Sequence, residues 1–237
     1  MNQPRNKVIY DIIDASFIMP KNTHSNMMNL NIGKKFCSQL SKSDCMKELV
    51  SNGFDAHKKM RISKNVKFCK DKENDDVYII QDYGEGITRD AFIFGENDFK
   101  KNNKNVIGNF GSGLKDACAV LNSNRCKFEI TTKKYIFTPE MMKAEGSKRE
   151  TLHLIINKNN SGEPKCGTKF ILYGITHNEF IKTKKMFRRF DKKMTELING
   201  SYMDHDITVI KNKSIKQYIY VAGVSVHSGN DFKLSYD

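Results

Sequence analysis

Apolar residues recur along this 237-residue chain in two rhythms, one helical and one extended. Between residues 45 and 56, Met46, Leu49, Val50 and Phe54 return at three- and four-residue intervals, which puts them on one side of a helix. Ser43 or Asp44 stands where its N-cap is needed. Residues 77–80 form a short β run that breaks at Asp82-Tyr83-Gly84-Glu85-Gly86, a turn. Residues 95–106 are polar, rich in Lys and Asn and without period, as expected of a mobile loop. Glycines 108, 111 and 113 then open a helix through Leu121.

Past residue 125 the pattern turns extended, predicting strands at 127–132, 135–138, 151–157 and 168–173, with a turn at 159–164. A long helix is expected over 178–199, with Phe187, Phe190, Met194 and Leu197 as its apolar stripe and Gly200 as its stop. Two more strands, 207–210 and 218–226, follow. Mixed elements with strands gathered in the second half predict an α+β fold, helices on one face of a sheet.

Composition narrows the classes. The apolar fraction of 38% is too high for a disordered chain, and no run approaches the ~18 apolar residues of a membrane span. The first seven residues are not followed by the apolar core of a secretory signal. Six cysteines (37, 45, 69, 118, 126, 166) form no CxxC pair and six histidines no HExxH, so a reduced, intracellular protein with structural thiols is expected, in cytoplasm or nucleus. The formal charge is +13, but the 40 basic residues are 33 Lys and 7 Arg, beside 23 Asn and no Trp. That combination fits a nucleotide-composition bias as well as it fits a nucleic-acid surface.

Four short patterns carry chemistry. Glu48, Asn52 and Asp55 share one helix face at i, i+4 and i+7, where a carboxylate and a carboxamide one turn apart can orient a water and hold hydrated Mg²⁺. A solvated helix side has the same spacing. Asp82-x-Gly84-x-Gly86 ends a β run; a strand-end Asp can accept from an exocyclic amine, and glycines let backbone approach a planar ligand. Gly108-x2-Gly111-x-Gly113-Leu114-Lys115 offers backbone N–H groups and a cation at a helix start, a place for phosphate, yet it has neither Walker A nor dinucleotide-fold spacing. Gly167-Thr168 begins a strand and means little alone.

In this order, over about residues 40–175, these patterns resemble the GHKL ATPase superfamily, which includes DNA gyrase B, the ninety-kilodalton heat-shock chaperone, histidine kinases, MutL and MORC proteins. Residues 47–56 match its N-box, 81–87 its first glycine box, 107–115 its second and Gly167-Thr168 its closing GT. The resemblance implies a Bergerat fold, a two-layer α/β sandwich with a mixed, mostly antiparallel sheet, and a site for ATP and Mg²⁺. It implies that Asp82 accepts from the adenine amino group with support from Thr168, that Gly84 and Gly86, beside Ile87, leave room for the base, and that Asn52 holds Mg²⁺. Glu48 is then the general base for water. Gly108, Gly111, Ser112, Gly113 and Leu114 face the phosphates, Lys115 pairs with them, Asp55 supports the site and residues 87–113 are a lid. Tyr83 departs from the small polar residue usual in the family. Glu48, and the lack of a phosphoacceptor His box around His24, favour hydrolysis over transfer to histidine.

Within the superfamily the boxes look like MORC-type ATPases, phage rIIA-type proteins and microbial heat-shock-chaperone-like ATP-binding proteins. The implied organisation is an ATP-binding domain over 1–175 and an extension over 176–237, a basic helix plus strands packed on the same domain. The implied function is slow Mg²⁺-dependent ATP hydrolysis working as a switch through lid closure and a homodimer. The alternatives are a non-hydrolysing nucleotide-binding module and a subunit of a nucleic-acid machine. For the last, Lys182, Lys184, Lys185, Arg188, Arg189, Lys192 and Lys193 crowd one predicted helix, either a solvated face or a phosphate-backbone contact.

Overall fold

The computed structural model describes residues 26–33, 39–93, 113–143, 146, 148–190, 195–202, 205–211, 217–221, 223–229 and 235–237. Seven strands make the first sheet: β1 (Asn26–Gly33), β2 (Lys67–Lys70), β3 (Val77–Gln81), β4 (Phe128–Thr132), β5 (Tyr135–Lys143), β6 (Glu150–Lys158) and β7 (Thr168–Tyr173). Their order is β1-β6-β5-β4-β7-β3-β2, and each of these neighbours pairs antiparallel. Helices α1 (Lys42–Lys59), α2 (Gly113–Ser123) and α3 (His177–Lys185) lie on one side of it. This is the α+β Bergerat architecture. No helix among the described residues is long and apolar enough to cross a membrane.

Burial follows the period of each element. On β7, Thr168, Phe170 and Leu172 are buried while the residues between are half-exposed. The buried side meets Met46, Leu49 and Val50 of α1 and Ala117, Val120 and Leu121 of α2 in one core cluster. Ser41 caps α1: its hydroxyl accepts from the Asp44 N–H, and the Asp44 carboxylate accepts from the Ser41 N–H in return. The helix therefore starts one turn earlier than the apolar pattern suggests, with Asp44 at N3 rather than as the cap. Strands β1 and β2 were not legible as strands, β5 runs five residues beyond 138, and the expected strand over 218–226 is two, β10 (Gln217–Val221) and β11 (Val224–Gly229).

The largest correction concerns 178–199. Helix α3 ends at Lys185, a 3₁₀ turn spans Arg188–Phe190, and β8 (Thr195–Tyr202) runs through the expected stop at Gly200. Met186 and Phe187 N–H still close the last turn of α3, but from there the backbone bonds sideways: Ser225 N–H donates to Met186 O (2.7 Å) and Arg188 N–H to Gly223 O (2.9 Å). Phe187 and Phe190 then pack on Phe54 with centroids 5.7 Å away in both cases. Tertiary pairing overrides the helical period. The basic residues consequently do not share one helix: Lys182, Lys184 and Lys185 are on α3, Arg188 and Arg189 on the turn, and Lys192 and Lys193, like Met194 and Leu197, have no described side chains. Strands β8, β9 (His205–Lys211), β10, β11 and β12 (Ser235–Tyr236) make a second sheet, β11-β10-β12-β9-β8, in which β10 and β12 are parallel.

Candidate functional site

Helix α1 and the end of β3 meet at unusually small separation. Gly53 lies mid-helix, where a Cβ would stand 3.2 Å from a Val66 methyl and 3.3 Å from the Asp82 Cβ. One turn on, a Cβ at Gly84 would stand 3.0 Å from that of Ala56. Glycine lets the helix press against the strand end, and the strand end presents Asp82. That carboxylate is buried and accepts from the Gly84 N–H at 2.8 Å and the Thr168 N–H at 3.2 Å, one on each oxygen. Burial raises its pKa above the ordinary carboxylate value, against the bonds from Gly84 and Thr168 and the charge of His57. The two N–H donors and the Thr168 hydroxyl leave the carboxylate one acceptor position to spare, so an amine arriving here meets a desolvated acceptor.

The surrounding turn leaves little freedom. Asp82 N–H donates to Thr168 O (3.0 Å), and the Thr168 hydroxyl accepts from the Ile87 N–H (3.1 Å). Gly167 has φ +74°, and a Cβ there would lie 2.1 Å from the Asp82 carbonyl oxygen, so no side chain is tolerated. On the other side, buried His57 accepts the Tyr83 N–H on Nε2 at 2.8 Å. Burial, helped by the charges of Arg189 and Lys64, holds the His57 pKa below its ordinary value against the pull of Asp82 and of a hydrogen bond to the Lys64 backbone, so the neutral ring that can accept is favoured. The Tyr83 ring lies 3.5 Å beneath the Lys64 ammonium.

The opposite end of the same helix face meets α2. A Cβ at Gly113 would come 2.6 Å from Glu48 Oε2, so Glu48 sits against the first residue of α2, where helix N–H groups and the dipole favour anions. Glu48 and Asn52 are half-exposed, whereas Asp55 is buried. Glu48 and Ala56 are eight residues apart, about 12 Å along the axis. The face thus carries a buried acceptor at one end, an anion-favouring helix start at the other, and a carboxamide between.

Lys115 is placed otherwise than its expected role suggests. It is buried, its ammonium donates to Ile93 O at 3.3 Å, and burial lowers its pKa against the charge of Asp116. Ile93 follows a 3₁₀ turn, Arg89–Phe92, at the start of the expected lid; Gly108, Gly111, Ser112 and residues 94–112 generally lie outside the described residues. Gly53 and His57 were missed from sequence. Gly53 left a signal, since glycine inside a helix costs roughly 1 kcal/mol relative to Ala and calls for a reason; His57 left none.

With this geometry in view, residues 40–164, just over half of the chain, match the family model described as histidine kinase-, DNA gyrase B- and HSP90-like ATPase. The chain belongs to that family. As a member of this GHKL ATPase family it carries an ATP-binding domain, and the sheet and helices above are that domain's fold. It is also similar to an uncharacterized protein of Mycoplasma pneumoniae (strain ATCC 29342 / M129 / Subtype 1), 29% identical over 210 residues that cover 89% of this chain and 83% of the relative.

Proposed function

We propose that this GHKL domain hydrolyses ATP slowly, with Glu48 as general base, and uses closure over the nucleotide as a switch. Adenine lies at the Asp82 end of α1, its amino group donating to the carboxylate, with Gly84, Gly86, Ile87 and Thr168 shaping the slot. The triphosphate runs along the helix face toward the start of α2, where Gly113 and Leu114 join Gly108, Gly111 and Ser112 in offering N–H groups. The ~12 Å between the two ends suits the length of a nucleoside triphosphate.

The observation that carries hydrolysis is Glu48 against Gly113. A half-exposed carboxylate beside the phosphate-facing helix start can take a proton from a water in line with the terminal phosphorus. Asn52, one turn along, supplies a hard carboxamide oxygen, a donor suited to Mg²⁺ that keeps waters and phosphate oxygens as its other ligands. Bound there, the ion would neutralise charge on the phosphates. Asp55, buried, positions the helix face. Lys115 pairs with phosphate only by leaving Ile93, which links phosphate occupancy to the base of the lid.

Glu48→Gln tests the assignment. ATP binding should persist while phosphate release stops; unchanged turnover refutes Glu48 as the base. The lid and a homodimer belong to the same proposal, checked by sizing the protein with and without a non-hydrolysable ATP analogue. The division at 175/176 is proposed too, supported by the first sheet's last strand ending at Tyr173 and α3 beginning at His177.

A further inference from the structure

The turn between β4 and β5 is Lys133-Lys134, and across the β5–β6 ladder Lys158 stands directly opposite Tyr135. These four residues, with Asn159 among others, line a cavity of about 460 Å³. No described lining residue is acidic. The three lysines make no ion pair among the described residues, whereas Lys59 and Lys70, also at the surface, are matched by Glu85 and Asp75 at 2.8 Å. Like charges around one concavity repel, and an anion placed among them removes the repulsion.

The cavity wall is built rather than loose. Tyr135 N–H donates to the Thr132 hydroxyl (3.1 Å), which donates in turn to Tyr135 O (3.2 Å). Buried Asn159 donates through Nδ2 to Thr132 O and Glu163 O, both at 2.6 Å, and through its backbone to Lys134 O at 2.9 Å. Tyr135 is half-buried, braced 5.8 Å from the Phe137 ring. Cations on a stiff frame beside an aromatic ring are the elements that hold a nucleic-acid strand by its phosphates and a base.

Three cations of the other basic segment are less available. Arg188 pairs with Asp237, Arg189 lies 5.1 Å over the Phe54 ring, and Lys184 lies 5.4 Å over Phe180. These cations are engaged by the protein itself.

We propose that the cavity at the β4–β5 turn binds single-stranded nucleic acid, with Lys133, Lys134 and Lys158 on its phosphates and Tyr135 beneath a base. The site is separate from the nucleotide slot yet adjoins it. Thr132 pairs with Thr168 across β4–β7, and a Cβ at Gly86 would lie 3.6 Å from the Thr132 Cβ.

The test is fluorescence anisotropy of a labelled oligothymidylate with the full chain, without ATP, at about 50 mM salt and in a salt series. The charge-reversed triple K133E/K134E/K158E should bind at least tenfold more weakly, and its log–log salt slope should fall by about 2, three contacts at roughly 0.7 each. K182E/K184E/K185E changes net charge equally and should bind nearly as the parent does. Glutamine versions with an unaltered melting temperature should rank the same way, which separates lost contacts from lost fold. The proposal is overturned by a parent chain that does not bind, by equal loss in both triples, or by thymidine monophosphate competing as well as the strand, which would make this a small-phosphate pocket.

Discussion

Replacing Asp82 with Asn changes one atom of the site and should remove most of the affinity for ATP. Gly84 N–H at 2.8 Å and Thr168 N–H at 3.2 Å claim one carboxylate oxygen each, so the carboxamide cannot satisfy both. Keeping its oxygen on Gly84 turns Nδ2 toward the Thr168 N–H, donor against donor, and flipping it moves the same conflict to Gly84. That clash is present with or without ligand and acts on stability, where it is opposed by loss of the desolvated charge that raises the pKa of Asp82. The affinity term is separate. A hydrogen bond from the adenine amino group to a charged acceptor contributes about 1.5–3 kcal/mol, so Kd should rise about 10- to 150-fold. Calorimetry with ATP and with inosine triphosphate reads this out, because a 6-oxo purine offers an acceptor where adenine offers an amine. The parent should prefer ATP, and Asp82→Asn should narrow or reverse that preference. A variant that melts normally and binds ATP within about threefold of the parent, with the preference intact, refutes Asp82 as the adenine acceptor.

Glu48→Gln should lower turnover by about 10²–10⁴ while leaving the ATP Kd unchanged, read by phosphate release and calorimetry. Gly167→Ala forces a Cβ to within 2.1 Å of the Asp82 carbonyl oxygen at a φ of +74°, a strain above about 2 kcal/mol. Thermal melting should drop by many degrees, and native melting contradicts the close approach. His57 is held below its ordinary pKa, so its contribution to stability is full above its unfolded value near 6.5 and is lost as pH falls through the folded value. His57→Gln, whose side-chain oxygen can accept from Tyr83, should show a smaller fall in melting temperature between pH 7 and 5 than the parent; equal slopes exclude the assignment.

The cluster around Asp82, Gly84 and Thr168, proposed above for adenine, was legible because local rules suffice there. A β run cut by Asp-x-Gly-x-Gly and a later Gly-Thr each place residues by backbone needs that glycine announces, and the structure brings them within hydrogen-bond distance. The face of α1 was legible from its period. What escaped depends on partners distant in sequence. Residues 186–190 carry helical spacing, yet their backbone bonds to 223–225, a pairing no local window contains. Strand β1 reads M-M-N-L-N-I with little turn chemistry around it, and only its pairing with β6 declares it. Lys115 follows a glycine box and was assigned to phosphate, but its burial and its bond to Ile93 arise from how α2 packs on the turn at 89–92.

Gly53 separates stability from function more cleanly than any other position in the site. In an exposed helix, Gly→Ala stabilises by roughly 1 kcal/mol, since alanine loses less backbone entropy on folding. Here the new methyl meets the Val66 methyls at 3.2 and 3.3 Å and the Asp82 Cβ at 3.3 Å, closer than ordinary van der Waals contact. The Val66 side chain ends a loop but is buried in the core, so it shares the displacement with Asp82. Asp82 is less free, because both oxygens and its N–H are already bonded. The propensity gain and the contact strain therefore act in opposite senses on folding and nearly cancel, whereas the displacement of Asp82 falls wholly on the ligand. Gly53→Ala should melt within a few degrees of the parent, about 1 kcal/mol in a domain of this size, and bind ATP several-fold more weakly. Unchanged ATP affinity would show that Asp82 tolerates the shift, and that the close approach of α1 to β3 serves packing rather than the placement of the carboxylate.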